Sequence, residues 1–165
     1  MHRSDFISEY ANKNGWTKGV ELGVWHGKTM ARVLGKAPLL HMIGVDAWAA
    51  LPDGMAGYAN WDHDSHEKQA RENTAEFSDR VSFLKMTTDE AAKIIEDGTL
   101  DFVFIDADHR FLPVLNDIKN WLPKIKKGGV LMGHDIDWPE VKKAVEMTFR
   151  SKYKTGPDNI WFVTR

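Results

Sequence analysis

Hydrophobic positions fall into short runs broken by glycine-rich, polar turns, and between the runs apolar residues recur three and four apart. The runs at 18–22, 40–45, 81–85, 100–105 and 130–132 predict five strands. Phe102-Val103-Phe104-Ile105 is apolar without a break, as in a parallel strand buried on both faces. Helical spacing predicts helices over 5–14, 29–37, 65–77, 88–96 and 111–122, with a last one from Trp138-Pro139 whose inner face is Val141, Val145 and Phe149. The punctuation agrees. Ser4 is read as the cap of the first helix and Gly15 as its end, Pro38 stops the second, and Thr87 and Glu90 make a capping box. The segments 152–155 and 160–164 read as a closing antiparallel pair around Gly156-Pro157-Asp158-Asn159. Alternating strands and helices predict one α/β domain over 1–165 with a mostly parallel sheet. Residues 47–64 show little periodicity and carry Trp48, Tyr58, Trp61, Asp62, His63 and Asp64. This stretch is read as a substrate-side loop, with a variable surface excursion as the alternative.

Composition narrows the function classes. A chain of 165 residues suits one core, and a formal charge of −2 gives no broad pull toward nucleic acid or an anionic membrane. Cysteine is absent, so disulfides and thiolate metal sites are excluded, and a cytoplasmic location fits. Met1-His2-Arg3-Ser4-Asp5 is not followed by an apolar signal core, and no apolar run approaches the ~18 residues of a membrane helix. The expected partner is therefore a small molecule, with no nucleic acid and no membrane.

The candidate chemistry collects at strand ends. Gly19-Val20-Glu21-Leu22-Gly23-Val24-Trp25-His26-Gly27 reads as strand, tight turn and helix start. Glycines there let backbone approach a ligand, and the opening N–H groups of the helix point at it. A dinucleotide would want Gly-x-Gly-x-x-Gly, which is absent, and Glu21 would repel its phosphates. A ligand bearing an ammonium group would welcome Glu21, and S-adenosylmethionine (SAM) is such a ligand. Asp46 ends the second predicted strand, where an acid can accept ribose hydroxyls. Thr88 or Asp89, after the third, could accept from an adenine amino group, with helix capping as the plainer role. Trp25 and His26 line the methionine end of such a site or simply wedge the turn. Asp106 and Asp135 end the next two strands and repel one another unless a proton or cation lies between them. With Asp108, His109 and His134 beside them, either a divalent ion such as Mg²⁺ prepares an oxygen nucleophile or His109 or His134 is a general base.

These residues resemble the class I SAM-dependent methyltransferases. The resemblance is carried by Glu21-x-Gly23-x-x-x-Gly27, Asp46, Phe104-Ile105-Asp106-Ala107-Asp108-His109, Trp121-Leu122-Pro123-Lys124-x-Lys126-x-Gly128-Gly129 and Gly133-His134-Asp135. It looks closest to a small bacterial branch akin to sugar and macrolide O-methyltransferases and to cephalosporin hydroxylase-like proteins. It implies a Rossmann-like, doubly wound seven-stranded sheet of order 3-2-1-4-5-7-6 with strand 7 antiparallel. By the same pattern Glu21, Gly23 and Gly27 surround the methionine part of SAM, Asp46 the ribose, and Asp106 lies beside the sulfonium. In metal-dependent members the cation sits on the positions that are Asp106, His134 and Asp135 here. The chain lacks an obvious substrate domain, so residues 47–64 and the N-terminal helix would do that work, alone or with the second subunit of a homodimer.

The reading that follows is methyl transfer from SAM to a small hydroxylated acceptor, with or without a divalent metal. Two alternatives stand beside it: a SAM-binding module without methyl transfer, and an NAD(P)-dependent oxidoreductase, which the missing glycine spacing and Glu21 disfavour.

Overall fold

The strand pattern closes into one sheet. A computed structural model describes residues 1–50 and 60–165 of the chain. In chain order the elements are α1 (Arg3–Asn14), β1 (Lys18–Leu22), α2 (Lys28–Lys36), β2 (His41–Asp46), α3 (His63–Asn73), β3 (Val81–Lys85), α4 (Thr88–Ile94), β4 (Leu100–Ile105), α5 (Phe111–Trp121), β5 (Ile125–Gly133), α6 (Pro139–Phe149), β6 (Lys154–Thr155) and β7 (Trp161–Thr164). The sheet order is β3-β2-β1-β4-β5-β7-β6, as the resemblance implies. β1 to β5 run parallel, and β7 is antiparallel to both β5 and β6.

Period-two alternation along the strands sorts the core into two layers. On β4, Phe102 and Phe104 face α1, α2 and α3, packing with Ile7, Met30, Val33 and Ala70. Val103 and Ile105 face α4, α5 and α6, packing with Ala91, Val114, Ile118 and Val145. Both faces are covered, which explains the unbroken apolar run.

Register brings the strand ends level. Leu22 pairs with Val45 and with Ile105, and Ile105 pairs with Gly133. The residues at and just beyond these positions therefore share one edge. Strand order reverses between β1 and β4, so the crevice at that edge is where a ligand binds in sheets of this kind.

Three local expectations need correction. His2, not Ser4, is the N-cap of α1: its ring accepts from the Ser4 backbone N–H, and Ser4 lies buried in the first turn. The third helix starts at His63, because Asp62 caps it, and ends at Asn73. There Thr74 Oγ1 bonds back to the Ala70 carbonyl, and a 3₁₀ turn over Ala75–Phe77 follows. β5 begins at Ile125, five residues before the expected run at 130–132, and it carries a register shift against β4. Gly128, at φ +83°, absorbs the irregularity. The central part of the expected substrate-side loop, 51–59 with Tyr58, lies outside the described residues. Among those described, no helix is long and apolar enough to cross a membrane.

One buried acid belongs to the core and not to the edge. Asp117 of α5 is buried, and burial lifts its carboxyl to about 7, only partly offset by a hydrogen bond from Thr88. The folded chain thus keeps a proton that the unfolded chain releases near its ordinary value of 3.8. Stability must fall as pH rises from about 4 through about 7. Asp117→Asn is expected to stabilise by about 1–3 kcal/mol at pH 8 and hardly at all at pH 4. Thermal melts at the two pH values check this, and parallel curves for both proteins would contradict it.

Candidate functional site

The turn after β1 is held from below by its neighbours. Gly23 has φ +82°, and its N–H bonds the Val45 carbonyl at 2.9 Å. A Cβ there would sit 2.2 Å from the Asp106 carbonyl oxygen, so only glycine lets the ends of β1 and β4 meet. Asp46 locks the rest. Its Oδ2 accepts from the Val24 and Trp25 N–H groups at 2.9 and 2.8 Å, and its Oδ1 from Trp48 N–H at 2.8 Å. The Trp48 indole then donates to the Trp25 carbonyl at 2.9 Å. Three of the roughly four lone-pair sites of that carboxylate are taken, which leaves room for one more donor on Oδ1. Gly27, at φ +68°, is the N-cap of α2 and offers no side chain to the N–H groups that follow it.

Glu21 is the most unusual residue at this edge. It is 2% exposed, and its Oε2 has no hydrogen-bond partner. Burial pushes its carboxyl well above the usual range, the negative Asp106 adds to this, and Arg3 opposes it. An unpaired carboxyl in that environment is costly and calls for a positive ligand.

The ends of β4 and β5 carry the second group. The Asp106 N–H bonds the Leu22 carbonyl, and the His134 N–H bonds the Ile105 carbonyl, so both side chains start from the sheet edge. Asp135 has φ +55°, and this left-handed backbone turns its carboxylate between two imidazoles. His109 Nε2 lies 2.6 Å from Asp135 Oδ2 and 3.9 Å from Asp106 Oδ1. His134 Nδ1 lies 3.0 Å from Asp135 Oδ1 and 3.5 Å from Asp106 Oδ1. Asp106 and Asp135 together lift His109 to about 9. Burial lowers His134, but the same two carboxylates outweigh that and carry it to about 9. Asp135 also pays for burial, yet His109 and His134 hold it well below the usual carboxylate range. Arg3 NH1 stands 3.4 Å from His134 Nε2. Trp138 covers the other imidazole, with its ring 4.7 Å from that of His109. The ligand atoms of Asp106, His134 and Asp135 lie within 4.8 Å of one another, a spacing suited to a divalent ion.

A level edge of strand ends, a left-handed glycine turn and an unpaired buried acid meet at the point where strand order reverses. A family model described as a methyltransferase domain matches residues 20–136. The chain belongs to the methyltransferase domain family. An uncharacterised protein, R132 of Acanthamoeba polyphaga mimivirus, is 29% identical over 137 residues, covering 76% of this chain and 56% of that protein. The chain thus spans little more than half the length of that relative. Among solved structures, cofactor-bound Rv0187 from MTB superposes with a TM-score of 0.73 at 17% identity, covering 98% of this chain and 78% of the other. An O-methyltransferase from Bacillus cereus in complex with SAH superposes with a TM-score of 0.69 at 16% identity, covering 99% and 80%. At these identities the structural likeness establishes the fold.

Within this methyltransferase domain, the expected residues do not all converge. Glu21, Gly23, Gly27, Asp46, Asp106, His109, His134 and Asp135 lie along the one edge. Trp25 is half exposed, at φ +49°, and stacks on His26 with ring centroids 3.9 Å apart. Thr87 and Glu90 form the capping box of α4, and Asp89 Oδ1 accepts from Asn120 at 2.8 Å. Thr88 bonds Asp117. Thr88 and Asp89 are therefore engaged with α5 within the domain. Asp108 turns away from the histidines and pairs with Arg110 at 2.7 Å. Sequence reasoning missed Arg3, Thr29 and Asp158. Arg3 reaches Asp106, Asp158 and Thr29, joining the start of the chain to the end of the sheet. No spacing within the sequence links positions 3, 29 and 158; only the packing of α1 beside α2 and β7 does.

Proposed function

We propose that this chain, as a single domain over 1–165, transfers a methyl group from SAM to a hydroxyl of a small acceptor. The observation that carries the reading is Glu21, a buried carboxyl without a partner at the end of β1. It matches the ammonium of an amino acid tail and would repel a dinucleotide's pyrophosphate. The bound cofactor would supply an electrophilic methyl carbon on a sulfonium. The protein's part is then alignment, exclusion of water and removal of one proton. Glu21 would hold the ammonium, and the backbone of Gly23, Trp25 and Gly27 would line the tail. Asp46 would accept one ribose hydroxyl on Oδ1, and of Thr88 and Asp89, both engaged with α5, Asp89 would meet the adenine edge through the oxygen that Asn120 leaves free. Residues 47–64 and α1 would receive the acceptor, alone or with a second copy of the chain.

His109 is the proposed proton acceptor. Its Nε2 lies 2.6 Å from Asp135 Oδ2, an ion-pair contact that favours a proton on that nitrogen, and neither ring nitrogen has an aligned hydrogen bond. The neutral ring would take the acceptor's proton at Nδ1, beneath Trp138. A divalent ion held by Asp106, His134 and Asp135 would instead polarise the hydroxyl directly. Those donors fit such an ion in type and spacing. Arg3 and the imidazolium of His109 already balance the two carboxylates, however, and His134 Nδ1 would have to give up its proton. The proton step is therefore assigned to His109.

Calorimetric titration with SAM and with NAD(H), followed by incubation with labelled SAM and a panel of sugars and phenols, tests the reading. Saturable SAM binding and a labelled product are expected. NAD(H) binding without SAM binding would overturn it, and tight SAM binding without product from any acceptor would leave a binding module. The rate should climb with pH as His109 loses its proton and level off near pH 9. His109→Asn should cost ~10²–10⁴-fold in rate, and exhaustive chelation should cost nothing. Loss of activity on chelation, restored by Mg²⁺, would move the proton step to a metal.

A further inference from the structure

We propose that Arg3 receives the α-carboxylate of the cofactor, completing with Glu21 a receptor for both charges of an amino acid. The inference rests on the SAM reading above and assigns a group that the family pattern leaves unassigned in this chain. It starts from how α1 is fixed. Asp158 Oδ2 accepts the Arg3 backbone N–H at 3.0 Å, and His2 caps the next N–H. Ile7 and Ala11 are buried in the core, and the Phe6 and Tyr10 rings pack on Phe162. The helix start is thus held rigidly at the sheet edge without help from the Arg3 side chain.

That side chain crosses from α1 toward the first turn of α2. Its Nε lies 3.3 Å from Thr29 Oγ1 and 3.7 Å from Asp106 Oδ2, and its NH1 lies 3.4 Å from His134 Nε2 and 3.6 Å from Asp158 Oδ2. A guanidinium has five N–H donors and bonds a carboxylate best as a two-pronged fork at about 2.7–2.9 Å. None of these contacts is a fork, and all are long. Arg3 sits among acids without pairing closely with any of them.

The ground in front of it suits an anion. Thr29 is the second residue of α2, a nine-residue helix whose N-cap is Gly27 and whose opening N–H groups no side chain caps. An arginine beside an uncapped helix start attracts a carboxylate. The independent pointer to a ligand is Glu21, which is nearly fully buried, lacks a partner on Oε2, and lies within electrostatic reach of Arg3 and Asp106. A group seeking an ammonium and a group seeking a carboxylate thus share one edge, both facing Asp106. An α-amino acid presents those two charges on one carbon.

Decarboxylated SAM separates this role from a structural one, since it keeps the adenosine, the sulfonium and the amine and lacks only the carboxylate. Wild-type protein, Arg3→Gln and Arg3→Lys would be titrated calorimetrically with SAM and with decarboxylated SAM, with thermal melts to confirm folding. Arg3→Gln is expected to weaken SAM by ~10- to 100-fold and to leave decarboxylated SAM unchanged, with Arg3→Lys in between. Equal losses for both ligands, or no loss, would overturn the assignment. If Arg3→Gln does not fold, the wild type decides: equal affinity for the two ligands overturns the Arg3 role alone. Failure of the wild type to bind either ligand overturns the SAM reading itself, and the Arg3 role falls with it.

Discussion

Glu21→Gln is expected to give a more stable protein that binds SAM ~10- to 100-fold more weakly. The two effects have one cause. The wild-type carboxyl is buried beside Asp106 with Oε2 unpaired, so the folded state resists its ionisation. An amide of the same shape removes that penalty. The gain should be roughly 1–3 kcal/mol at pH 8 and vanish near pH 4, where the carboxyl is protonated in both the folded and the unfolded chain. A bound ammonium reverses the balance by stabilising the charged form. Binding should therefore release a proton, and wild-type affinity for SAM should rise with pH while that of the variant stays flat. Calorimetry in buffers of different ionisation enthalpy reads the proton directly. A variant that binds SAM as tightly as the wild type would remove Glu21 from the site.

Asp46→Ala should be the most damaging single change at the edge. It orphans the N–H groups of Val24, Trp25 and Trp48 at once. Val24 and Trp48 are buried, so water cannot easily replace the carboxylate. Each unsatisfied group costs about 1–3 kcal/mol, and total stabilities are about 5–15 kcal/mol, so a loss of ~3–5 kcal/mol is expected. The glycine turn would shift with it. SAM and a ligand without ribose, such as methionine, should then weaken alike, because the turn that lines both has moved. Asp46→Asn keeps one carbonyl oxygen to accept from the turn and should fall between. A melt unchanged in Asp46→Ala would show that the three contacts do not hold the turn. A loss confined to SAM, with methionine spared, would make the ribose its main partner.

Much of this was legible from residue order. The apolar runs and their punctuation locate the described strands apart from the first half of β5, and the acids at 21, 46, 106 and 135 stand at or just past strand ends. Periodicity is a local property, set by how side chains alternate along one strand, and it survives without knowledge of neighbours. The local misreadings have equally local reasons. Ser4 lost the cap to His2, and 126–129 continued as a strand, because contacts with Asp158 and with the Arg165 backbone outweighed residue preference.

The pairings across the edge were not legible. Asp46 was read as a ribose acceptor, and nothing in the sequence signalled the three hydrogen bonds its carboxylate also accepts from its own turn. His109 and Asp135 meet through a left-handed backbone at Asp135, which is not a glycine and gives no signal in the sequence. Arg3 joins the site from the far end of the chain. The order of residues by itself determined which side chains end up at the ligand-binding rim, since strand length and polarity alternation are written locally. Tertiary structure alone decided which charges face one another there. Those choices depend on strand order, crossover packing and backbone angles, through contacts between residues 22 to 155 positions apart.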